Sequence, residues 1–238
     1  MNKSILNETL YDLLKKYLPN DHSRQVTGDY YIQKIIDMDD PIILDLGCGL
    51  GKSFELFKQA NKSVHWTGID LVYSPEVNQR NRKDYNFVSF NGEKIPIKDS
   101  THDLVFSKQV FEHVFRPEKL LLEINRVLKV NGLFIGSVSY LEPYHSLSVT
   151  NFTPYGLIRF LNETGFNLVE LRPGIDGITL IIRSIIKGRF GSDFFLTHES
   201  PFNMLISLIY KLMNKSNLNT NFAKLAYAGH IVFLAKKQ

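Results

Sequence analysis

The sequence predicts an α/β fold built on a doubly wound, mostly parallel sheet. Three observations predict it. Short apolar runs bounded by glycine, proline or aspartate recur along the chain, segments with helical spacing alternate with them, and a glycine-rich loop follows the first run. Continuous short apolar runs are how strands buried on both faces read, and strands alternating with helices form parallel sheets covered on both sides. The 238 residues suit one such domain with an elaboration, and residues 1–238 read as a single domain.

Each element has its own signal. Ile5, Leu6, Leu10, Leu13, Leu14 and Tyr17 recur near helical spacing within residues 4–18, and a second helix around 29–38 stops at Asp40-Pro41, so residues 1–38 form an N-terminal helical cap. Pro41–Leu46 reads as the first strand, 52–60 as a helix, Val64–Ile69 as the second strand and Pro75–Arg82 as a helix. Asn86–Phe90 and Asp103–Phe106 are the next strands, followed by one or two helices through Leu128. Asn131-Gly132 reads as a turn before the strand that ends at Val138; 154–164 is a helix, Phe166–Leu171 the sixth strand and His230–Ala235 the seventh. Residues 175–229 form a helical insertion or lid with two apolar stretches, Ile178–Ile186 and Phe202–Met213. The second is apolar almost all round, as expected of a buried or capping helix, with interfacial membrane binding as the alternative.

Composition narrows the function classes. Hydrophobic residues make up 44% and charged residues 22%, enough apolar surface for a core and unlike a disordered chain. One cysteine, Cys48, excludes a disulfide framework within the chain and fits a reducing compartment. The N-terminal stretch lacks the apolar core of a signal peptide, no segment has the apolar length of a membrane span, and the expected location is cytoplasmic. From Arg172 onward there are nine Lys/Arg against three Asp/Glu, whereas the first 171 residues carry 19 basic against 21 acidic side chains. The basic C-terminal third faces solvent, an anionic acceptor or, through peripheral contact, a membrane surface.

The chemistry centres on Asp45-Leu46-Gly47-Cys48-Gly49-Leu50-Gly51, where the first strand delivers its loop. Ligands of open α/β sheets bind beyond the carboxyl ends of the strands, and glycines let the backbone approach them closely. The spacing is G-x-G-x-G, one residue short of the dinucleotide fingerprint, and Asp45 would place negative charge beside a pyrophosphate. S-adenosylmethionine carries a sulfonium and an ammonium but no phosphate, so the charge pattern favours it over a nicotinamide dinucleotide. Asp70, ending the second strand, is placed to accept both ribose hydroxyls, or to cap a helix. Asn91, after the third strand, offers the donor and acceptor that adenine requires, and reads equally as a turn asparagine beside Gly92.

ILDLGCGLG, GID, NGEKIPIKDSTHDLVFSKQVFEHV and EINRVLKVNGLFIGSV follow one another in order across roughly residues 40–140. In that order they resemble the motifs of class I S-adenosylmethionine-dependent methyltransferases of the methyltransferase type 11, quinone-methyltransferase-like group. The resemblance implies a Rossmann-like seven-stranded sheet, order 3-2-1-4-5-7-6, with the seventh strand antiparallel. It implies that Asp45, Gly47, Cys48, Gly49 and Gly51 wrap the methionine part of the cofactor and that Asp70 and Leu71 stand at its ribose. Asn91, Gly92 and Glu93 would flank adenine, and Ser107 and Lys108 would line the pocket through their backbone. Two positions depart from the pattern: Asn91 replaces a common aspartate, and His102 a common aromatic residue. The phrases EPYH, FTPYGL and ETGF, with the tail GIDGITLIIRS and AGHIVFLAKK, resemble methyltransferases of bacterial surface-polysaccharide (capsule, O-antigen) biosynthesis. That implies a sugar or sugar-linked acceptor.

Methyl transfer is an in-line displacement, in which alignment supplies much of the rate and a hydroxyl acceptor benefits from a base. His145, a few residues beyond the fifth strand, is the expected base, or a locally bonded loop histidine. Gln109, Glu112 and His113 fall at i, i+3 and i+4 of an expected helix, so they share one face, bracing it or contacting the acceptor. Some methyltransferases with an E-x-x-E-H pattern bind a divalent metal there; Gln109 replaces the first glutamate, and no metal is expected. Tyr30, Tyr31 and Tyr144 are candidates to close the pocket, or plain packing residues. The expected activity is methyl transfer from S-adenosyl-L-methionine, leaving S-adenosyl-L-homocysteine, to a small-molecule or carrier-linked saccharide acceptor. A quinone or other apolar acceptor, and a non-catalytic S-adenosylmethionine-binding module, are the alternatives. No nucleic-acid partner is expected, because Ser107-Lys108-Gln109 stands where an N-P-P-[YF] or prolyl-cysteine signature would follow the fourth strand.

Overall fold

The computed structural model describes residues 3–81, 85–142, 146–189 and 191–238. Its strands are β1 (Ile42–Leu46), β2 (His65–Leu71), β3 (Phe87–Phe90), β4 (His102–Lys108), β5 (Leu128–Ser139), β6 (Phe166–Pro173) and β7 (His230–Lys237). They form one sheet of order 3-2-1-4-5-7-6. β1 through β5 pair in parallel, and β7 runs antiparallel between β5 and β6. The strand order reverses between β1 and β4, which opens a crevice at the carboxyl end of β1.

Side-chain alternation sorts the core into two layers. Leu44, Leu46, Val105, Phe134 and Phe233 pack on one face with Leu120 and Ile124 of α4 (Pro117–Val127) and Leu157, Ile158 and Leu161 of α5 (Pro154–Glu163). Ile43, Leu104, Phe106, Ile135 and Val232 pack on the other with Tyr31 and Ile35 of a 3-10 helix (Gly28–Ile35) and Phe57 of α2 (Ser53–Ala60). Such period-2 partition along each strand is what burial on both faces of a sheet demands. The helix preceding these is α1 (Lys3–Leu14), and α3 (Pro75–Asn78) lies between β2 and β3. Between β6 and β7 come α6 (Gly177–Ile185), a 3-10 turn (Ser192–Leu196), α7 (Pro201–Leu212) and α8 (Asn217–Ala226). Thr153, Asp176, Ser200 and Ser216 each accept a hydrogen bond from a first-turn amide of α5, α6, α7 and α8, so all four helices start on capping side chains.

Several elements differ from the sequence reading. The helix expected at 29–38 is a 3-10 helix, and that expected from Pro75 is a single turn through Asn78. Asn131-Gly132 lies inside β5: Asn131 takes a φ of 65° where the register against β4 shifts, so the turn is an irregularity within one long strand. The apolar helix over Phe202–Met213 is not buried all round, because α7 rests on the body through Asn203 and Ile206 and exposes much of the rest.

The chain's early and late segments are joined by polar contacts. Lys224, fully buried on α8, donates to Glu199 and to the Ser23 carbonyl, and Gln25 bonds the Phe195 carbonyl, Ser200 N–H and Asn203 Nδ2. Arg172 of β6 pairs with Asp21 at 2.8 Å and Glu170 at 2.5 Å, and Tyr31 Oη donates to Glu170 at 2.7 Å. Tyr30 packs under the Arg172 guanidinium and its Oη lies 3.0 Å from His22 Nε2; Tyr144 lies outside the described residues. Among the described residues no helix is long and apolar enough to cross a membrane.

His102, at the start of β4, is buried, and burial pushes its imidazole down to about 4. The unfolded chain takes up a proton near pH 6.5 that the folded chain refuses, so this contribution is complete above 6.5 and is lost as pH falls toward 4. We expect urea unfolding at stepped pH to show up to roughly 3 kcal/mol of this loss, and His102→Phe to flatten it. An unchanged slope in the variant would place the acid sensitivity elsewhere.

Candidate active site

β1 hydrogen-bonds to β2 on one side and β4 on the other, so the end of β1 has no lateral access to water. Alternation turns Asp45 toward the face covered by α2, where it is 2% exposed and accepts a hydrogen bond from Ser53 Oγ at the start of that helix. Burial pushes the Asp45 carboxyl up to about 7; the Ser53 hydroxyl opposes this shift, while the charges of Asp70 and Asp29 add to it.

The chain then bends through Gly47, Gly49 and Gly51, with φ of 69°, 50° and 76°. A Cβ on Gly47 would lie 2.4 Å from a methyl of Val110, and one on Gly51 2.8 Å from the Phe87 ring, so conformation and space both require glycine there. The bend is held from β2: Gly47 N–H donates to the Ile69 carbonyl at 2.8 Å and Gly49 N–H to Asp70 Oδ2 at 2.7 Å. Arg80 braces the outside. Its Nε donates to the Gly49 carbonyl at 2.7 Å, its guanidinium lies 3.7 Å from Asp70 Oδ2, and it contacts Cys48 Sγ at 3.2 Å. Burial raises the Cys48 thiol, which keeps it protonated.

Leu71 is half exposed at the end of β2, and a Cβ on Gly92 would sit 3.3 Å from its Cδ2, so the loops after β2 and β3 are neighbours. Asn91 Oδ1 accepts from the amides of Glu93 and Lys94 at 3.0 Å each, an Asx turn that occupies its acceptor and leaves Nδ2 as its outward group. Glu93 is exposed. On β4, Ser107 has its side chain on the opposite face from Asp45, buried and without a partner for Oγ, while Phe106 and Lys108 line the crevice. Lys108 pairs with Asp29 at 2.6 Å.

These elements enclose an open cleft of about 510 Å³ bordered by Asp29, Asp45, Gly47, Ser53, Glu76 and Lys108. Three carboxylates border it, and burial raises the pKa of the most enclosed of them, Asp45. A cationic nucleoside fits such a site, and a pyrophosphate would meet repulsion from Asp45. Sequence reasoning missed Asp29, Glu76 and Arg80; none lies in a glycine-rich or strand-end motif.

A second polar cluster lies one strand further along the carboxyl edge. Gln109, at φ 55°, donates from its backbone N–H to the Ser137 carbonyl and from Nε2 to Ser137 Oγ, both at 3.0 Å, while Oε1 accepts from Ser139 Oγ at 2.8 Å. Ser139 Oγ also lies 2.7 Å from Glu142 Oε2 and 3.4 Å from Glu112 Oε1, and His230 Nε2 is 2.8 Å from Glu142 Oε2. Gln109, Glu112 and His113 do not share a helix face: Gln109 precedes a short 3-10 turn (Phe111–His113) in the left-handed region, and Glu112 reaches Ser139 from that turn. His113 is half-buried, and His145 lies outside the described residues. Ser139, Glu142 and His230 were not anticipated, since Glu142 and His230 are 88 residues apart and meet only through the β5–β7 pairing.

The strand order, with its antiparallel seventh strand, is that of the Rossmann-like methyltransferase fold. Residues 44–136 match the family described as Methyltransferase domain. Dimethylglycine N-methyltransferase of Parasynechococcus marenigrum is 26% identical over 130 residues, covering 50% of this chain and 46% of that protein. Malonyl-[acyl-carrier protein] O-methyltransferase of Legionella pneumophila is 32% identical over 94 residues, covering 38% and 33%. The chain thus spans less than half the length of either relative. The fold is also that of Burkholderia thailandensis 1,6-didemethyltoxoflavin-N1-methyltransferase, solved with S-adenosylhomocysteine, at a TM-score of 0.53, 16% identity and coverage of 89% and 78%.

Two outcomes follow from this geometry. Binding of S-adenosylhomocysteine, whose ammonium remains, is expected to strengthen as pH rises through about 7 and Asp45 ionises, and Asp45→Asn should remove that dependence in calorimetry at stepped pH. Asp70→Ala deletes the carboxylate beside the Gly49 amide and should weaken binding by about tenfold or more, with an unchanged unfolding midpoint. Unchanged affinity in Asp70→Ala would move the nucleoside away from β2.

Proposed function

We propose that this chain transfers a methyl group from S-adenosylmethionine to an oxygen of a small or carrier-linked acceptor, a sugar or surface-polysaccharide precursor. The observation that carries the oxygen acceptor is the Ser139–Glu142–His230 cluster beside the cofactor cleft. A histidine whose ring nitrogen meets a carboxylate is a unit suited to accept a proton from a hydroxyl. The bound cofactor supplies a methyl carbon made electrophilic by its sulfonium. Asp45, Gly47, Cys48, Gly49 and Gly51 hold its methionine part, Asp70 and Leu71 its ribose, and Asn91, Gly92 and Glu93 its adenine. Phe106 and Lys108 wall the cleft, and Ser107 contributes backbone alone.

On the acceptor side His145 is read as the base, Glu112 and His113 as further candidates for acceptor contact, and His230 as the second candidate base. Residues 1–38 and 175–229 belong to the same domain in this reading, because Gln25, Arg172 and Lys224 tie them together with hydrogen bonds. The Legionella relative, named for a carrier-linked substrate, supports an acceptor presented on a carrier.

Incubating the protein with S-adenosylmethionine and a panel of hydroxylated sugars, nucleotide sugars and lipid-linked sugars should give one product heavier by a methyl in place of hydrogen on oxygen. His145→Ala or His230→Ala should lower turnover about a hundredfold or more while S-adenosylhomocysteine affinity holds. Wild-type turnover in both variants removes the histidine base, and a product methylated on nitrogen or carbon sinks the oxygen reading.

A further inference from the structure

α6 and α7 each expose an apolar stripe at helical spacing. On α6 it is Ile178, Ile181, Ile182 and Ile185, and along α7 it is Met204, Leu205, Leu208, Ile209, Leu212 and Met213, each 40–75% exposed. Scattered exposed aliphatic residues are ordinary, but ten on two adjoining helices form a surface that water solvates poorly.

These helices are firmly attached. Asp176 caps α6 by accepting from Thr179 N–H and Oγ1 and also accepts from Ser200 Oγ, whose residue caps α7. Asn203, fully buried, donates from Nδ2 to Gln25 and to the Gly174 carbonyl. Both helices therefore start from one buried hydrogen-bonded knot. Inward, Leu180 and Ile206 are buried, so the exposed stripes are the faces left over once each helix has docked.

Charge surrounds the stripes with one sign. Residues 175–229 contain three acidic side chains: Asp176 is buried in the knot, Asp193 pairs with Arg183 at 2.7 Å, and Glu199 pairs with buried Lys224. Lys187 and Arg189 beyond α6, and Lys211 and Lys215 at the far end of α7, are exposed and lack ion-pair partners among the described residues.

We propose that the α6–α7 face docks on an anionic lipid surface, its aliphatic stripes entering the headgroup region and Lys187, Arg189, Lys211 and Lys215 meeting the lipid phosphates. The stripes lack the Trp, Tyr and Arg anchors that dominate protein–protein hot spots. A symmetric contact between two copies would set these cations against their own equivalents, whereas an anionic bilayer neutralises them. Contact with a bilayer needs exposed aliphatic side chains and basic side chains near them, and α6 and α7 carry both. α6 also starts at the carboxyl edge of the sheet: a Cβ on Gly177 would lie 2.5 Å from the Leu141 carbonyl, just beyond β5. The docking face thus adjoins the edge that carries the acceptor cluster, although the proposal stands without any methyl acceptor.

The test uses the full chain floated with vesicles of phosphatidylcholine alone or mixed with phosphatidylglycerol. We expect binding to the anionic vesicles about tenfold above the neutral ones, falling as salt is raised. Ile185→Ser with Leu208→Ser and Leu212→Ser, and separately Lys187→Glu with Lys211→Glu, should each lower that binding about tenfold while the thermal unfolding midpoint is kept. The proposal is overturned if the wild-type chain shows no preference for anionic vesicles, or if both variants bind as it does. It is equally overturned if the wild-type chain is a dimer that the aliphatic variant turns into a monomer, which would assign the face to a second copy.

Discussion

A carboxylate at the end of a strand that is paired on both sides has few ways to be solvated, and Asp45 is in that position. β2 and β4 flank β1, α2 covers the face toward which Asp45 points, and Ser53 is the hydrogen-bond donor that the fold places beside it. Burial, with the charges of Asp70 and Asp29, outweighs the hydrogen bonding around it, which pushes the carboxyl up to about 7. The site is therefore built around an unmet demand for positive charge. A ligand that brings a cation to the cleft stabilises the ionised carboxylate, which links the electrostatics of the empty fold to its choice of cofactor.

The glycine bend makes that carboxylate approachable. Its conformation is not left to the glycines alone: Asp70 takes the Gly49 amide, Ile69 takes the Gly47 amide, and Arg80 closes over the outer carbonyl. A loop held by β2 on one side and a guanidinium on the other is already ordered before a ligand arrives, which lowers the ordering cost of association. Further along the edge, Gln109 occupies a left-handed backbone conformation and spans Ser137 and Ser139 with both ends of its amide. A residue held there against its preference marks a place where the surroundings determine the chain's path.

The helices between β6 and β7 and the segment before β1 form the periphery, and polar contacts join them alongside the apolar packing of Leu14, Leu18 and Leu225. Gln25, Asp176, Ser200 and Asn203 hydrogen-bond one another in a buried knot, and Lys224 reaches Glu199 and the Ser23 carbonyl. Buried hydrogen bonds are directional, so they specify where α6 and α7 start more sharply than aliphatic packing would. That placement leaves the aliphatic stripes of both helices outward.

Much of the fold was legible because its signals are local. Seven apolar runs became seven strands, and Asp45 and Asp70 sit at the strand ends where their spacing put them. What stayed hidden depends on partners far off in the chain. Phe106 rather than the Ser107 side chain faces the cleft because pairing with Asp45 selects the face, and Arg80 reaches the bend across 31 residues. The same holds for Glu142 and His230, which only the insertion of β7 beside β5 brings together, and for α7, whose composition suggested burial. Periodicity and turn chemistry are properties of neighbouring residues, so the sequence by itself determined the elements and the ligand-facing loop. Which face of each element meets water, and which distant side chains share a hydrogen, depend on the packing of the whole sheet, and only the tertiary structure decided them.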